Sequence, residues 1–145
     1  MAFFRGEEGS VKFDDAGTSA SAIANTKNWN LTVTKDLINT TYIGSSFTGA
    51  ASTYRKHEGG FIHATGKATL FYAATTGDET NKFIEQVNLE GDSGIALFEL
   101  YLDTSSSKKI TFDGVITSST YGSKIGSLVE IEVSFTSSGT ITMSI

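Results

Sequence analysis

The sequence NWNLTVTKDLINTTYIGSSFTGAASTYRKHEGG, residues 28–60, begins as a regular strand and continues as a long polar stretch. At its start, Trp29, Leu31 and Val33 alternate with polar, uncharged residues, which predicts a β-strand with one apolar and one polar face. Residues 36–60 then carry glycine, serine and threonine without a clear period. Loops of this length are uncommon in compact domains and are usually functional or disordered. We therefore predict a long loop over residues 36–60.

The composition predicts one globular domain over residues 1–145, since 39% of the residues are hydrophobic and 19% are charged. The net charge is −5, and no cluster of basic residues marks a surface for DNA phosphates. The chain has no cysteine, which excludes disulfides and thiolate metal sites. No apolar run reaches the roughly 20 residues of a membrane-spanning helix, and the N-terminus does not resemble a signal peptide. We expect a soluble protein that is made in the cytoplasm and has no membrane anchor.

Most of the remaining chain has the patterns expected of strands. Five segments alternate apolar and polar residues or are continuously apolar. They are FIHATGKATLFYA (61–73), IALFELYLD (95–103), KKITFDGVITSSTY (108–121), VEIEVSFT (129–136) and GTITMSI (139–145). Asp113 and Gly114 form either a bulge or a hairpin turn, and the last segment predicts a separate final strand.

One segment, TTGDETNKFIEQVNLEG (residues 75–91), has helical spacing instead. Phe83, Ile84 and Val87 recur on one face, and Gly91 is a natural stop, so we predict a short amphipathic helix over 79–89. The predicted fold class is mainly β: a β-sandwich or barrel with one short packed α-helix.

The sequence offers little evidence for catalysis. Glu130 and Glu132 share a strand face about 7 Å apart, which overlaps the spacing in inverting glycosidases, but nothing nearby would keep one of them protonated. His57 and His63 lack the spacing of metal ligands, and there is no G-x-S-x-G motif. We predict no enzyme activity, no catalytic residue, no metal site and no cofactor.

A binding module is harder to set aside on composition, because acidic β-sandwiches rich in glycine, serine and threonine include carbohydrate-binding modules. Such modules need an exposed aromatic platform. The single tryptophan, Trp29, lies on the predicted core face, which favours a structural role. A carbohydrate-binding module remains an alternative function.

Four further motifs, in their order along the chain, resemble the major tail tube proteins of long-tailed bacteriophages. GSVKF is similar to the opening strand of that family, KNWNLTVTKD to its Trp-x-Leu strand, NTTYIG to its threonine-rich turn, and TYRKHEGGF to its aromatic and basic segment. These motifs occupy residues 9–13, 27–36, 39–44 and 53–61. The later order of strand, single helix and three strands also matches, so the resemblance covers nearly the whole chain.

The resemblance implies a structural virion protein, made in the host cytoplasm, whose hexameric rings stack into the tail tube as a hollow conduit for DNA ejection. The sheets of neighbouring subunits would merge into a larger barrel. Other tail proteins would meet the tube ends, and DNA would pass without specific binding. A ring-forming tube protein of a contractile secretion system is an alternative with the same architecture.

The resemblance also assigns roles to residues. The loop over 36–60 would contact the neighbouring subunit and the adjacent ring, becoming ordered on assembly. Its candidate contact residues are Asp36, Thr40, Thr41, Tyr42, Phe47, Tyr54, Arg55 and Lys56. The candidates for the wall of the channel are the polar strand residues Asn30, Thr32, Thr34, His63, Thr65, Lys67, Glu130 and Glu132. We expect an uncharged-to-acidic wall, with Lys67 paired to a neighbouring carboxylate.

Overall fold

The computed structural model describes residues 6–23, 25–40, 55–72 and 78–145. Strands dominate these residues, with one α-helix and two 3-10 turns. In chain order the elements are a 3-10 turn (Gly6–Glu8), β1 (Ser10–Asp14), β2 (Ser21–Ala22), β3 (Thr26–Asn39), β4 (His57–Phe71), α1 (Asp78–Glu85), a 3-10 turn (Gln86–Asn88), β5 (Ala96–Asp103), β6 (Lys108–Gly122) and β7 (Glu130–Ser144).

All seven strands belong to one sheet, in the order β2-β1-β5-β6-β7-β4-β3, and every neighbouring pair is antiparallel. The sheet is curled, because β1 contacts β3 although four strands separate them in this order. At this approach, a Cβ on Gly9 would lie 3.4 Å from the indole nitrogen of Trp29. The predicted mainly-β class with one packed helix is confirmed, as a single curled sheet that does not close into a barrel.

The core lies inside this curled sheet and is built around Phe98. Its ring centroid lies 5.2 Å from that of Phe13, 5.2 Å from that of Phe112 and 5.0 Å from that of Phe135. Aromatic pairs at these distances add favourable ring–ring contacts to the burial of apolar area. The cluster joins β1, β5, β6 and β7. Burial of these rings favours the curled shape, because curling removes them from water.

The predicted helix is present, with α1 and the 3-10 turn after it covering residues 78–88 instead of 79–89. Phe83 is fully buried and contacts Phe13 edge to face at 5.2 Å. The carbonyl oxygen of Ile84 accepts hydrogen bonds from the hydroxyls of Ser119 and Tyr121. The helix therefore covers the inner side of the sheet, close to β6. No helix within the described ranges is long and apolar enough to cross a membrane.

The hairpin of β3 and β4 extends into the range predicted as a loop. Leu37 pairs with Gly59, Ile38 with Glu58, and Asn39 with His57. A register shift between Lys35 and Leu37 interrupts the alternation of apolar and polar residues. The hydrogen-bonded pairing of the strands continues beyond the point where this alternation ends. The prediction that residues 36–39 and 57–60 belong to a loop was wrong, and the segment between the strands is 40–56.

Two other strand boundaries differ from the sequence patterns. Asp113 and Gly114 form a bulge, since β6 continues through them with a register shift against β7. The predicted separate final strand is the second half of β7, which runs from Glu130 to Ser144. Gly139 has φ of 89° inside it, a left-handed conformation that glycine adopts without strain. A glycine read as a strand boundary is therefore part of an irregular but continuous strand.

A nearly buried carboxylate organises the turn after β1. Asp14 is 5% exposed, and its oxygens accept hydrogen bonds from the backbone N–H groups of Ser19, Ala16 and Thr18 at 2.7, 3.0 and 2.8 Å. These bonds, above all that from Ser19, hold the pKa of Asp14 well below its usual value of 3.8. The carboxylate thereby satisfies backbone donors that have no partner in the sheet.

Candidate functional site

Four neighbouring strands, in the order β6-β7-β4-β3, carry a face that no element in the described part of the chain covers. Leu31, Gly66 and Phe135 are cross-strand partners on the core side. One residue along each strand, Asn30 pairs with Lys67 on the opposite side. We call this opposite surface the polar face. Its polar and charged members are Lys27, Asn28, Asn30, Thr32, Thr34, His63, Thr65, Lys67, Thr69, Ser118, Thr120, Glu130, Glu132, Ser134 and Thr136. Phe71 and Val115, the partners of Glu130 and Thr136, lie on the same side.

The structure brings all eight sequence candidates for the channel wall onto this one surface. Thr32 pairs with Thr65, which in turn pairs with Thr136, and Thr34 pairs with His63. Cross-strand partners point to the same side of a sheet, so three strands contribute side by side. Except for Glu132, which is half-buried, the eight side chains are exposed.

The lysines of the polar face are paired with its glutamates. Lys67 Nζ lies 3.7 Å from an Oε atom of Glu132, as expected for a lysine on a wall with carboxylates. Lys27 Nζ lies 2.9 Å from an Oε atom of Glu130. With two lysines and two glutamates, the polar face is formally neutral rather than acidic. Each carboxylate has its own lysine partner, an arrangement typical of surface ion pairs.

Lys27 was missed as a member of this surface. By strict alternation it would share the core side with Trp29 and Leu31. A register shift between Thr26 and Asn28 turns it to the polar face, where its Nζ also lies 5.7 Å from the ring of Phe71. A bulge of this kind leaves no mark on the residue types of the strand.

A groove of about 580 Å³ lies at the end of the polar face, against the turn between β6 and β7. Lys27 and Glu130 line it on the strand side, and Lys124 and Leu128 line it on the turn side. The groove is open to solvent, and its lining is mixed, since the aliphatic side chain of Leu128 lies beside the charged groups. Within the described ranges, no group of three His, Cys, Asp or Glu residues is placed to hold a metal ion.

The four strands also end in two free edges. β3 pairs with β4 on one side and with no described strand on the other. At the far side, β5 pairs with β6 only as far as Gly114, so residues 115–122 of β6 have β7 as their sole described strand partner, although side chains of Ser119 and Tyr121 contact the end of α1. Free strand edges are ready to pair with another chain unless they are blocked.

Beyond β7, the hairpin continues as a two-stranded ribbon of residues 33–39 and 57–64, since β7 pairs with β4 only from Thr65 onward. Large apolar side chains on it are exposed: Phe61 (83%), Leu37 (70%), Ile62 (54%) and Ile38 (50%). An isolated two-stranded ribbon is marginally stable in water, and these side chains have no cover within the described residues. The ribbon has the character of an interface.

The candidate loop residues are placed in part. Asp36 lies in β3 at the register shift, and Thr40 donates its backbone N–H to the carbonyl of Lys56 at 2.9 Å, closing the described end of the hairpin. Arg55 leads into β4 and is exposed. The other candidates, Thr41, Tyr42, Phe47 and Tyr54, lie outside the described residues.

Trp29 does not form an exposed aromatic platform. It is partly buried and packs against the core cluster together with Leu31. This placement agrees with the core role that alternation predicted for it, and it removes the tryptophan as the feature on which a carbohydrate-binding function would rest.

The fold is similar to that of chains in three solved tail or virion structures. One is the tail of an empty gene transfer agent (GTA) particle refined with C6 symmetry, with a TM-score of 0.73 and 15% identity over 97% of this chain and 98% of that chain. A second is the virion of a native GTA particle, with a TM-score of 0.70 and 14% identity over the same shares. A third is the SPP1 tail tube, with a TM-score of 0.69 and 20% identity over 98% of this chain and 80% of that chain.

These similarities lie in the fold and extend over nearly the whole chain. No protein-family model and no curated protein matches the sequence. The chain therefore has the fold found in the tail of a gene transfer agent and in the SPP1 tail tube.

Proposed function

We propose that the chain is a structural, non-enzymatic tail tube subunit whose six-membered rings stack into a hollow conduit for DNA. The observation that carries this proposal is the part of the sheet formed by β6, β7, β4 and β3, which has a polar face left uncovered by the described residues and a free edge on each side. The similarity to a tail with C6 symmetry supports the number of subunits in a ring.

The two free edges differ from each other, so they suit a head-to-tail contact. The β3 edge of one subunit would pair with residues 115–122 of β6 in the next, and such heterologous contacts close into a ring when the rotation allows. Six copies of four strands make a barrel of about 24 strands, roughly 45–50 Å across between backbones at usual strand spacing and tilt. That width admits a DNA duplex.

The polar face would then line the channel, because the other side of the same strands packs on the core. Threonine, serine and asparagine side chains hydrogen-bond to water and offer no charge to phosphates. The eight candidate wall residues take this role together with Lys27, which pairs with Glu130. DNA would pass over this surface without specific binding.

The ribbon and the segment 40–56 would join subunits and rings. Phe61 and Leu37 are exposed among the described residues, and a neighbouring subunit would cover them. Asp36, Thr40, Arg55 and Lys56 flank residues 41–54, which contain the other candidate contact residues. Ordering of such a segment on assembly costs conformational entropy, which the new interface offsets. The subunit would be made in the host cytoplasm and would reside in the virion tail, with other tail proteins at the tube ends.

The test is assembly of the purified chain. We expect monomers in dilute solution, and rings or tubes on concentration, seen by light scattering and by negative-stain electron microscopy. Class averages of end views should show six-fold symmetry around a stain-filled channel. Monomers under all conditions, or assemblies without a channel, would contradict the proposal.

A further inference from the structure

The glutamates of the polar face are placed to cancel the charge of its lysines. We propose that Glu130 and Glu132 neutralise Lys27 and Lys67 so that the polar face lets a polyanion such as DNA pass without retaining it. The proposal rests on the tail tube function above and specifies how the channel wall treats phosphates.

The distances support local cancellation. Lys27 Nζ and Glu130 lie 2.9 Å apart, and Lys67 Nζ and Glu132 lie 3.7 Å apart. Both separations are well below the Debye length of about 8–10 Å at moderate salt. A phosphate within the screening length but farther away than the pair separation therefore meets two opposite charges whose effects largely cancel.

The neutral wall contrasts with the chain as a whole. The net charge of the chain is −5, yet the two pairs leave the charges of the polar face balanced. Repulsion by an acidic wall is thus not what these residues provide. The pairs remove attraction, which matters because lysines that replace counterions on DNA hold it strongly at low salt.

The pairs contribute little to folding. Their side chains are about half exposed, with relative exposures of 46% and 45% for Lys27 and Glu130 and of 56% and 46% for Lys67 and Glu132. Exposed ion pairs have small effects on stability because water and salt screen them. The glutamates can therefore be replaced by the isosteric glutamine with the fold retained.

The experiment compares DNA binding by the wild type and by the double variant Glu130→Gln/Glu132→Gln. A labelled duplex is titrated with dilute protein at about 50 mM salt and followed by fluorescence anisotropy. We expect roughly tenfold tighter binding by the variant, with a log K against log salt plot that is steeper by about 2, since two lysines become free to meet phosphates. Assembled tubes of the variant should also co-sediment with DNA, unlike wild-type tubes.

Two controls separate the pairs from net charge. Glu85→Gln/Glu90→Gln makes the same charge change at exposed positions off the polar face and should leave DNA binding as in the wild type. Adding Lys27→Gln and Lys67→Gln to Glu130→Gln/Glu132→Gln should abolish the gain in DNA affinity. Lys124 lies on the turn at the end of the polar face and is unchanged in every variant, so its contribution to DNA binding is the same in all of them.

The proposal is overturned if Glu130→Gln/Glu132→Gln binds DNA no more tightly than Glu85→Gln/Glu90→Gln, or if the gain survives removal of both lysines. Should the double variant misfold by circular dichroism, each single variant is tested for half of the change in salt dependence. Electron microscopy reports on tube formation separately. Failure of the wild type to form tubes counts against the tail tube function and leaves the DNA-binding comparison intact.

Discussion

The hydroxyl of Tyr121 donates a hydrogen bond of 2.7 Å to the main-chain carbonyl of Ile84, which attaches the end of α1 to β6. Carbonyls in the last turn of a helix have no partner within the helix. This carbonyl accepts the bond from Tyr121 together with a longer one, 3.2 Å, from the hydroxyl of Ser119. The Tyr121 bond also holds the helix on the inner side of β6. The outer side of this strand is thereby left as part of the polar face.

We expect Tyr121→Phe to lower the free energy of unfolding of the monomer by about 0.5–1.5 kcal/mol, the usual contribution of one hydrogen bond. Urea denaturation followed by circular dichroism measures the change. Tyr72→Phe is the matched control, because Tyr72 is similarly exposed and no hydrogen bond of its hydroxyl is found among the described residues. Equal losses in both variants would show that the Ile84 contact does not stabilise the helix end.

Asp14 predicts a pH dependence with a defined sign. Its folded-state pKa is lowered by the N–H groups of Ser19, Ala16 and Thr18, so the unfolded chain binds the proton more readily. The stabilisation is fully present above about pH 5 and is lost as the pH falls through about 4 and below. Asp14→Asn should cost about 1.5–3 kcal/mol at pH 7, the range for hydrogen bonds to a charged group.

The measurement is the free energy of unfolding as a function of pH for the wild type and for Asp14→Asn. We expect the variant to have a smaller decrease in stability between about pH 5 and 2. Asp15→Asn makes the same charge change one residue later, where the carboxylate forms an ion pair with Lys82 at 3.5 Å. It should cost about 0–1 kcal/mol. If the free energy of unfolding had the same pH dependence in Asp14→Asn and in the wild type, ionised Asp14 would not be the source of the pH-dependent stability.

The alternation of apolar and polar residues predicted which face of a strand lies against the core, wherever the strand is buried on one side only. The strand containing Ala64, Gly66 and Ala68 has these three residues buried, as expected, with Thr65 and Lys67 exposed between them. The same reasoning placed Trp29 against the core. In these strands the apolar residues recur every two positions because one face must be removed from water, and the same requirement explains why that face is buried.

Bulges and pairing partners could not be predicted in the same way. The shifts at Lys27 and Asp36 depend on the backbone of the partner strand, so the residue types alone do not show them. Lys67 was expected to have a carboxylate partner. That this partner is Glu132 could be known only from the register of β4 against β7. The ribbon was read as a loop because apolar residues are exposed on it and its residues fit no pattern with one buried and one polar face.

Phe61 separates assembly from folding. Its side chain is 83% exposed on the ribbon, so Phe61→Ser should change the unfolding free energy of the monomer by less than about 0.5 kcal/mol. If the ribbon is an interface, the same change should raise the concentration needed for tube formation several-fold, measured by sedimentation and electron microscopy. Leu89→Ser, at a residue 52% exposed beside α1, is the control and should assemble normally. Normal assembly of Phe61→Ser would remove this residue from the interface.

The free edges of β3 and β6 predict which strands meet between subunits. Within one subunit β4 and β7 separate them, and Asn30 aligns through Lys67 and Ser134 with Ser118 of β6. Three strand spacings amount to about 14 Å, beyond the roughly 7 Å between Cα atoms that a disulfide can bridge. The chain has no cysteine, so an introduced pair can react only with itself. A disulfide between these strands must therefore join two subunits.

We expect Asn30→Cys, combined in turn with Ser118→Cys and Thr120→Cys, to form disulfides between neighbours when assembled tubes are mildly oxidised. One of the two combinations should match the register of the joined edges and give, on non-reducing gels, a ladder that ends at six subunits because the ring is then closed. Each single variant should give dimers at most, since one cysteine per subunit cannot extend a chain of cross-links. Tubes that form normally but yield no ladder in either combination would show that these edges do not pair with Asn30 opposite Ser118 or Thr120, while a ladder extending past six would show an open helical assembly in place of a ring.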